Sequence, residues 1–355
     1  MHRRSLLRAG VAVTGSVVLG GCLGSSDVEP PSNPSVPEDR PDGSYIPSHV
    51  SGMEMIGVAQ QGEYTFGAMY TTTHEFWTVN GDSVSHIEDD IDEDIHLMAS
   101  VWDPETRTVL PDTGLSVEIY QDDSLVSQET IYPMLSQRMG FHYGSNFELN
   151  GDGEYTVRLS VGGMSTRRSG AFRNRFTEPA TVEIPFEYSH YTKEGLMFER
   201  TDAPTARSGA VDPVDMEMIP ESVAPSDLPG RVIGTGMSND ARLVVTALDS
   251  PPAGIDGEKR YLAVSVRTRY NRILLPAMGL EGTLSRGTDT VYDGEFTRTL
   301  DPELKYHYGA VVDSVDSGDE LTLGVTVQPQ AARHIGYETA FGGLMGGMDD
   351  VTITV

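Results

Sequence analysis

The chain has 355 residues, a formal net charge of −28, and 53 acidic residues against 25 lysines and arginines. That balance speaks against nucleic acid as a partner, because phosphate binding draws on basic patches. A single cysteine excludes a structural disulfide, a cysteine-based zinc site and a type 1 copper site.

At the N-terminus, Arg3 and Arg4 stand before an apolar run from about Ala9 to Leu19. The run is too short to span a bilayer but suits a signal peptide, and the arginine pair marks a twin-arginine export signal. Leu19-Gly20-Gly21-Cys22 reads as a lipobox that would make a lipidated Cys22 the mature N-terminus, so 1–22 is a lipoprotein signal. Residues 23–47, rich in Pro, Ser and acid, read as a disordered or extended tether. Residues 48–190 read as a first domain, with period-two alternation predicting strands at 96–102, 115–121, 155–161 and 181–188. Turn residues such as Asn150-Gly151-Asp152-Gly153 separate them. Residues 191–236 have linker composition, and 237–355 read as a second domain with strands near 242–248, 260–268, 321–328 and 351–355. No amphipathic helix of useful length interrupts the pattern. Short strands at this spacing predict an all-β chain of two tandem Ig-like β-sandwich domains.

An internal repeat supports that division. Residues 96–119 align without gaps on 261–284, an offset of 165, with eight of 24 positions identical, among them Ser100/Ser265, Arg107/Arg272, Pro111/Pro276 and Gly114/Gly279. The same offset carries Phe141-His142-Tyr143-Gly144 onto Tyr306-His307-Tyr308-Gly309.

Particular segments carry a resemblance. Tyr132-Pro133-Met134, then Phe141-His142-Tyr143-Gly144-Ser145-Asn146, then the glycine-led strand from Gly153, resemble the periplasmic iron-transport protein family. These are Ig-like copper- and ferrous-iron-binding proteins related to the treponemal pathogen-specific membrane antigen. Ser51-Gly52-Met53-Glu54 and His96-Leu97-Met98-Ala99 echo the family's upstream segments, and the resemblance covers about 48–190. It implies an extracytoplasmic protein, often dimeric, that works with an iron permease. It also implies metal ligands at His96, Met134 and His142. Met98, a weaker candidate, stands where the family has a strand glutamate. Met164-Ser165-Thr166-Arg167-Arg168 stands where the family has a histidine-bearing segment, so the first domain lacks that histidine. Two imidazoles and a thioether suit copper, particularly Cu(I), while histidine also suits ferrous iron.

The second copy has Tyr261 in place of His96 and Thr299 in place of Met134. It carries Arg333-His334, followed by Glu338-Thr339 and Gly342, which resembles the segment missing from domain one; a one-residue slip would set His334 over Arg168. The family's late histidine reaches the metal across a dimer interface. The resemblance therefore implies a pseudo-dimer within one chain and a composite site of His96, Met134, His142 and His334. His307 is expected to be structural. Met216, Met218, Met345 and Met348 read as packing residues, and His74 and His86 as surface histidines beside the acidic run 88–94, itself a solvated loop.

No G-x-S-x-G, H-E-x-x-H, Walker A or dinucleotide fingerprint is present, so the chain reads as a binding protein and not an enzyme. Three lysines against 22 arginines, on an acidic surface, resembles proteins of salt-loving archaea. The leading expectation is a lipid-anchored extracytoplasmic protein that binds copper and/or iron ions for uptake beside a membrane permease. The alternative is an Ig-like cell-surface interaction module with no metal role.

Overall fold

A computed structural model describes residues 36–355 except 91, 197, 202–205, 217–221 and 346. The signal and lipobox, with Cys22, the tether up to residue 35, and Met218 lie outside the described residues, as does the side chain of Met345.

The described chain is almost wholly β, as two sandwiches. The strand Ala180–Tyr188 shows why: its residues alternate buried and exposed along its whole length, the two-residue period of a strand with one face on a core. In the first sandwich it joins Gly153–Val161, Ser116–Gln121 and Ser124–Ser127 in a four-stranded sheet. The facing sheet runs in the order Glu54–Gln61, Tyr64–Thr71, Ile95–Trp102, Gly140–Phe147, Tyr132–Ser136, Ala332–Arg333, Phe76–Asn80, Ser83–Ile87. Leu97, Val101 and Phe147 of this sheet pack with Val117, Val157, Leu159 and Ile184 of the other. Each such side chain contributes roughly 1.5–3 kcal/mol by leaving water. The second sandwich pairs a sheet ordered Arg167–Arg168, Thr297–Asp301, Lys305–Val312, Arg260–Thr268, Ala241–Leu248, Arg231–Ser238 with one ordered Asp289–Glu295, Gly279–Arg286, Glu320–Val327, Val351–Thr354.

The repeat is exact in register. Tyr143 pairs with Ala99 and Asn146 with His96; 165 residues on, Tyr308 pairs with Val264 and Val311 with Tyr261. Arg107 and Arg272, identical in the repeat, both take a left-handed backbone, at φ 56° and 54°. Each half also lends a two-residue strand to the other's sheet. Ala332–Arg333 adds in parallel to Tyr132–Ser136, and Arg167–Arg168 adds in parallel to Thr297–Asp301. The next residue seals each exchange: His334 N donates to Leu135 O at 3.1 Å, and Ser169 N to Leu300 O at 3.0 Å. His334 is thus the counterpart of Ser169. The expected slip onto Arg168 does not occur, because the offset of 165 holds unbroken through both inserted strands.

Two segments of loop-like composition are more ordered than that composition suggests. Tether residues Tyr45–Ile46 pair with Arg207–Ser208 of the linker, and Tyr45 is fully buried. The strand Arg231–Ser238, which begins within the expected linker, is an edge strand of the second sandwich. Gln137 helps to order the first of them: its Nε2 donates to Tyr45 O at 2.7 Å and Gly336 O at 3.1 Å, while its Oε1 accepts from Val211 N at 2.7 Å. The second is held by antiparallel pairing with Ala241–Leu248.

Candidate metal centre

Period-two geometry puts His142, Gly144 and Asn146 on one face of the strand Gly140–Phe147, and His96 and Met98 on the same face of its neighbour. Met134 joins from the other side as the direct cross-strand partner of His142. His334 arrives with the inserted strand from the second half. The outcome is that Nε2 or Nδ1 atoms of His96, His142 and His334 lie within 4.8 Å of one another, all three residues being buried. It is the one such cluster of His, Cys, Asp and Glu among the described residues.

Hydrogen bonds assign the tautomers. Asn146 Nδ2 donates to His74 O at 3.0 Å and its Oδ1 accepts from His74 N at 3.3 Å, which fixes the amide's orientation. The same Oδ1 lies 2.7 Å from His96 Nδ1, so Nδ1 carries the proton and Nε2 the lone pair. His142 Nδ1 donates to Gly140 O at 3.1 Å, which leaves its Nε2 in the same state. The Nε2 atoms of His96, His142 and His334 are buried without a hydrogen-bond partner. Desolvation pushes His142 down to about 4 and His96 and His334 well below the ordinary histidine range, with neighbouring imidazoles adding to the effect. All three are neutral at pH 7.

These residues fit a metal ion. An unpartnered buried nitrogen costs about 1–3 kcal/mol, and three at one point need a common partner. Gly144 clears the floor: a Cβ there would sit 2.8 Å from Met134 Sδ and 3.0 Å from His96 Nε2. The predicted thioether therefore reaches the same space as the imidazole. Three nitrogens bound to one ion at about 2.0–2.1 Å lie roughly 3.3–3.6 Å apart, so the widest pair of rings closes by up to about 1.5 Å on binding. Asn146 and the Gly140 carbonyl hold the rings of His96 and His142 in this orientation.

The second copy of this site is closed by protein. His307 Nδ1 bonds Lys305 O at 3.0 Å, as His142 bonds Gly140 O, but its Nε2 accepts from Tyr261 Oη at 2.9 Å. Arg167, from the first half, donates to Thr299 Oγ1 at 2.8 Å, Gly309 O at 3.0 Å and Tyr261 Oη at 3.3 Å. A guanidinium and a phenol fill the space that imidazoles and a thioether border in the first copy.

Other sequence candidates fall elsewhere. Met98 does not join the imidazoles; it packs with Met69, Met139 and Trp102, one pleat along the same face. His74 is not a free surface residue. Its ring centroid lies 5.3 Å from that of His96 and 5.5 Å from that of His334, its Nδ1 donates to Thr72 O, and its Nε2 accepts from Ser51 Oγ at 3.1 Å. It forms a wall of the centre with Phe76. His86 stacks on Trp77 and pairs with Glu75 near solvent. In the acidic run, Asp94 accepts from Leu149 N.

The loop that carries His334 is held from both ends. Buried Arg333 donates to the carbonyls of Ala340 and Phe341 and to Gln328 Oε1. Buried Glu338 accepts from Gly336 N at 2.7 Å and Tyr45 Oη at 2.5 Å, with Arg40 Nε at 3.3 Å. Asn146 and Gly144 were legible as motif members but not as orienter and floor. Glu338 belongs to the segment singled out in sequence, whereas its partner Tyr45 gave no signal.

Fold and site define a tandem β-sandwich protein with one histidine centre assembled from both halves. The chain belongs to the family described as "Domain of unknown function (DUF7350)", whose model matches residues 54–184 and 226–354, one stretch in each sandwich. No curated protein matches the chain. Among solved structures, FetP of uropathogenic E. coli is similar at 20% identity, over 39% of this chain and 96% of that one, with a TM-score of 0.31. A copper-bound variant of Campylobacter jejuni P19 is similar at 19% identity, over 39% and 98%, with a TM-score of 0.29.

Proposed function

We propose that this chain is an extracytoplasmic copper-binding protein that takes up its ion at a centre formed by His96, His142, His334 and Met134. One observation carries the reading: three neutral imidazoles present unpartnered Nε2 atoms to a single buried space that Met134 Sδ also borders. Imidazole with thioether and no carboxylate is a donor set for copper in preference to ferrous iron, which favours an oxygen ligand. The chain's own residues would hold the ion, with Asn146 and the Gly140 carbonyl fixing the imidazoles of His96 and His142, and the reading is that of a carrier. Export and anchoring follow from the twin-arginine and lipobox motifs around Arg3, Arg4 and Cys22. A membrane permease as partner, and a share in iron uptake, rest on the family resemblance. The acidic, lysine-poor composition suits life in high salt.

Calorimetric titration of the mature protein with Cu(II) and Fe(II) tests the reading. It predicts one Cu(II) per chain, weaker Fe(II), and loss of Cu(II) binding in a His96→Ala/His142→Ala variant. A double variant that binds Cu(II) as tightly as the wild type removes the proposal.

A further inference from the structure

We infer that the methionine cluster beside the imidazole centre is a second metal site, selective for a soft monovalent cation, Cu(I). Met53, Met69, Met98, Met139 and Met216 come from separate segments and gather with Trp102 in a cluster apart from the main core. Met69, Met98 and Met139 are each no more than 3% exposed. The main core, by contrast, is built of Leu, Ile, Val and aromatic residues, with Met164 and Met278 its only buried methionines among the described residues.

The repeat supplies an internal control. At the offset of 165, Ala263 stands for Met98 and Leu304 for Met139, and the strand register puts Thr246 where Met69 stands. Ala263 and Leu304 pack there with Tyr261, Leu248, Ile255 and Val311. The fold thus closes this position without a single thioether, so packing alone does not demand them. A second observation points to a ligand. Met53, Met98 and Met139 line a cavity of about 100 Å³ whose wall also includes His74 and His334.

Thioether sulfur is neutral and polarizable; it binds Cu(I) and passes over hard cations such as magnesium and calcium. Met98 follows His96 by two residues on one strand face, about 7 Å further along. An ion held by the thioethers is therefore a single step from the imidazoles. Binding at the methionines stands on the cluster alone; onward passage to the imidazoles rests on the copper reading above.

The test is anaerobic titration of the mature chain with Cu(I) against a chromophoric chelator. The wild type should bind two ions. A Met53→Leu/Met98→Leu/Met139→Leu variant, which nearly conserves volume, should lose one Cu(I) and keep wild-type Cu(II) binding. His96→Ala/His142→Ala should lose the other and retain an ion whose X-ray absorption shows sulfur neighbours. Thermal unfolding checks that the triple variant folds; if it does not, Met98→Leu alone should weaken this Cu(I) at least tenfold. A folded triple variant with two Cu(I) ions at wild-type affinity, or a wild type that binds only one, overturns the inference. Failure of the copper reading would show separately, as undiminished Cu(II) binding in the histidine variant.

Discussion

Gly144→Ala is the smallest change that probes the centre. The added methyl carbon would lie 2.8 Å from Met134 Sδ, 3.0 Å from His96 Nε2 and 3.3 Å from Leu97 O. Ordinary contact opens near 3.5 Å, so sulfur and ring must each retreat by roughly half an ångström or more. The end of Met134 is flexible and yields. The His96 ring is pinned through Nδ1 by Asn146 and yields only by breaking that 2.7 Å bond. Metal–ligand distances tolerate about 0.2 Å, so two donors leave bonding range together. Loss of an outer-shell partner alone costs 10–100-fold in affinity; displacing two ligands should cost at least about 100-fold, or ~2.7 kcal/mol. The metal-free fold should lose only about 1–3 kcal/mol to overpacking. Chelator competition with Cu(II) reads the first number and thermal unfolding of the metal-free protein the second. Gly309→Ala is the matched control: its methyl would overlap Tyr261 Oη, which His307 and Arg167 hold in place. It should cost ~3 kcal/mol of stability and leave copper affinity alone. Wild-type Cu(II) affinity in a folded Gly144→Ala variant refutes the reasoning.

Asn146→Ala frees the His96 tautomer and unpairs the His74 backbone, so copper affinity should fall 10–100-fold by the same competition assay, with about 1–3 kcal/mol lost from the fold. Arg167→Ala strips partners from Thr299, Gly309 O and Tyr261 in the second half; unfolding should show a loss of about 1–3 kcal/mol with copper stoichiometry unchanged. Tyr45→Phe removes a donor from buried Glu338 and should cost roughly 1.5–3 kcal/mol, with faster amide exchange across 334–340 as the local readout.

The sequence made the two-domain plan legible because the repeat conserves what fixes register: the left-handed Arg107 and Arg272, and the paired strands around His142 and His307. The candidate ligands His96, Met134, His142 and His334 were legible because each sits in a short motif. His334 was placed one residue off because alignment across dissimilar loops is a guess, whereas the inserted strands keep the offset intact. What escaped was made by long-range contact. His74 has no local pattern that announces its half-buried place; its environment comes from His96, His334 and Asn146, far away in sequence. Tyr45 lies in a stretch whose composition reads as tether, yet Gln137 and Glu338 order it. Met98 looked like a displaced ligand because its neighbours Met69 and Met139 meet it only in the folded sheet.

The most direct measurement of the central claim is an anomalous difference map, collected at the copper edge, from crystals of residues 23–355 grown with copper. The account predicts a peak bonded to Nε2 of His96, His142 and His334 above Gly144, and none beside His307. A map with no peak at these imidazoles, or with equal peaks at His142 and His307, contradicts it.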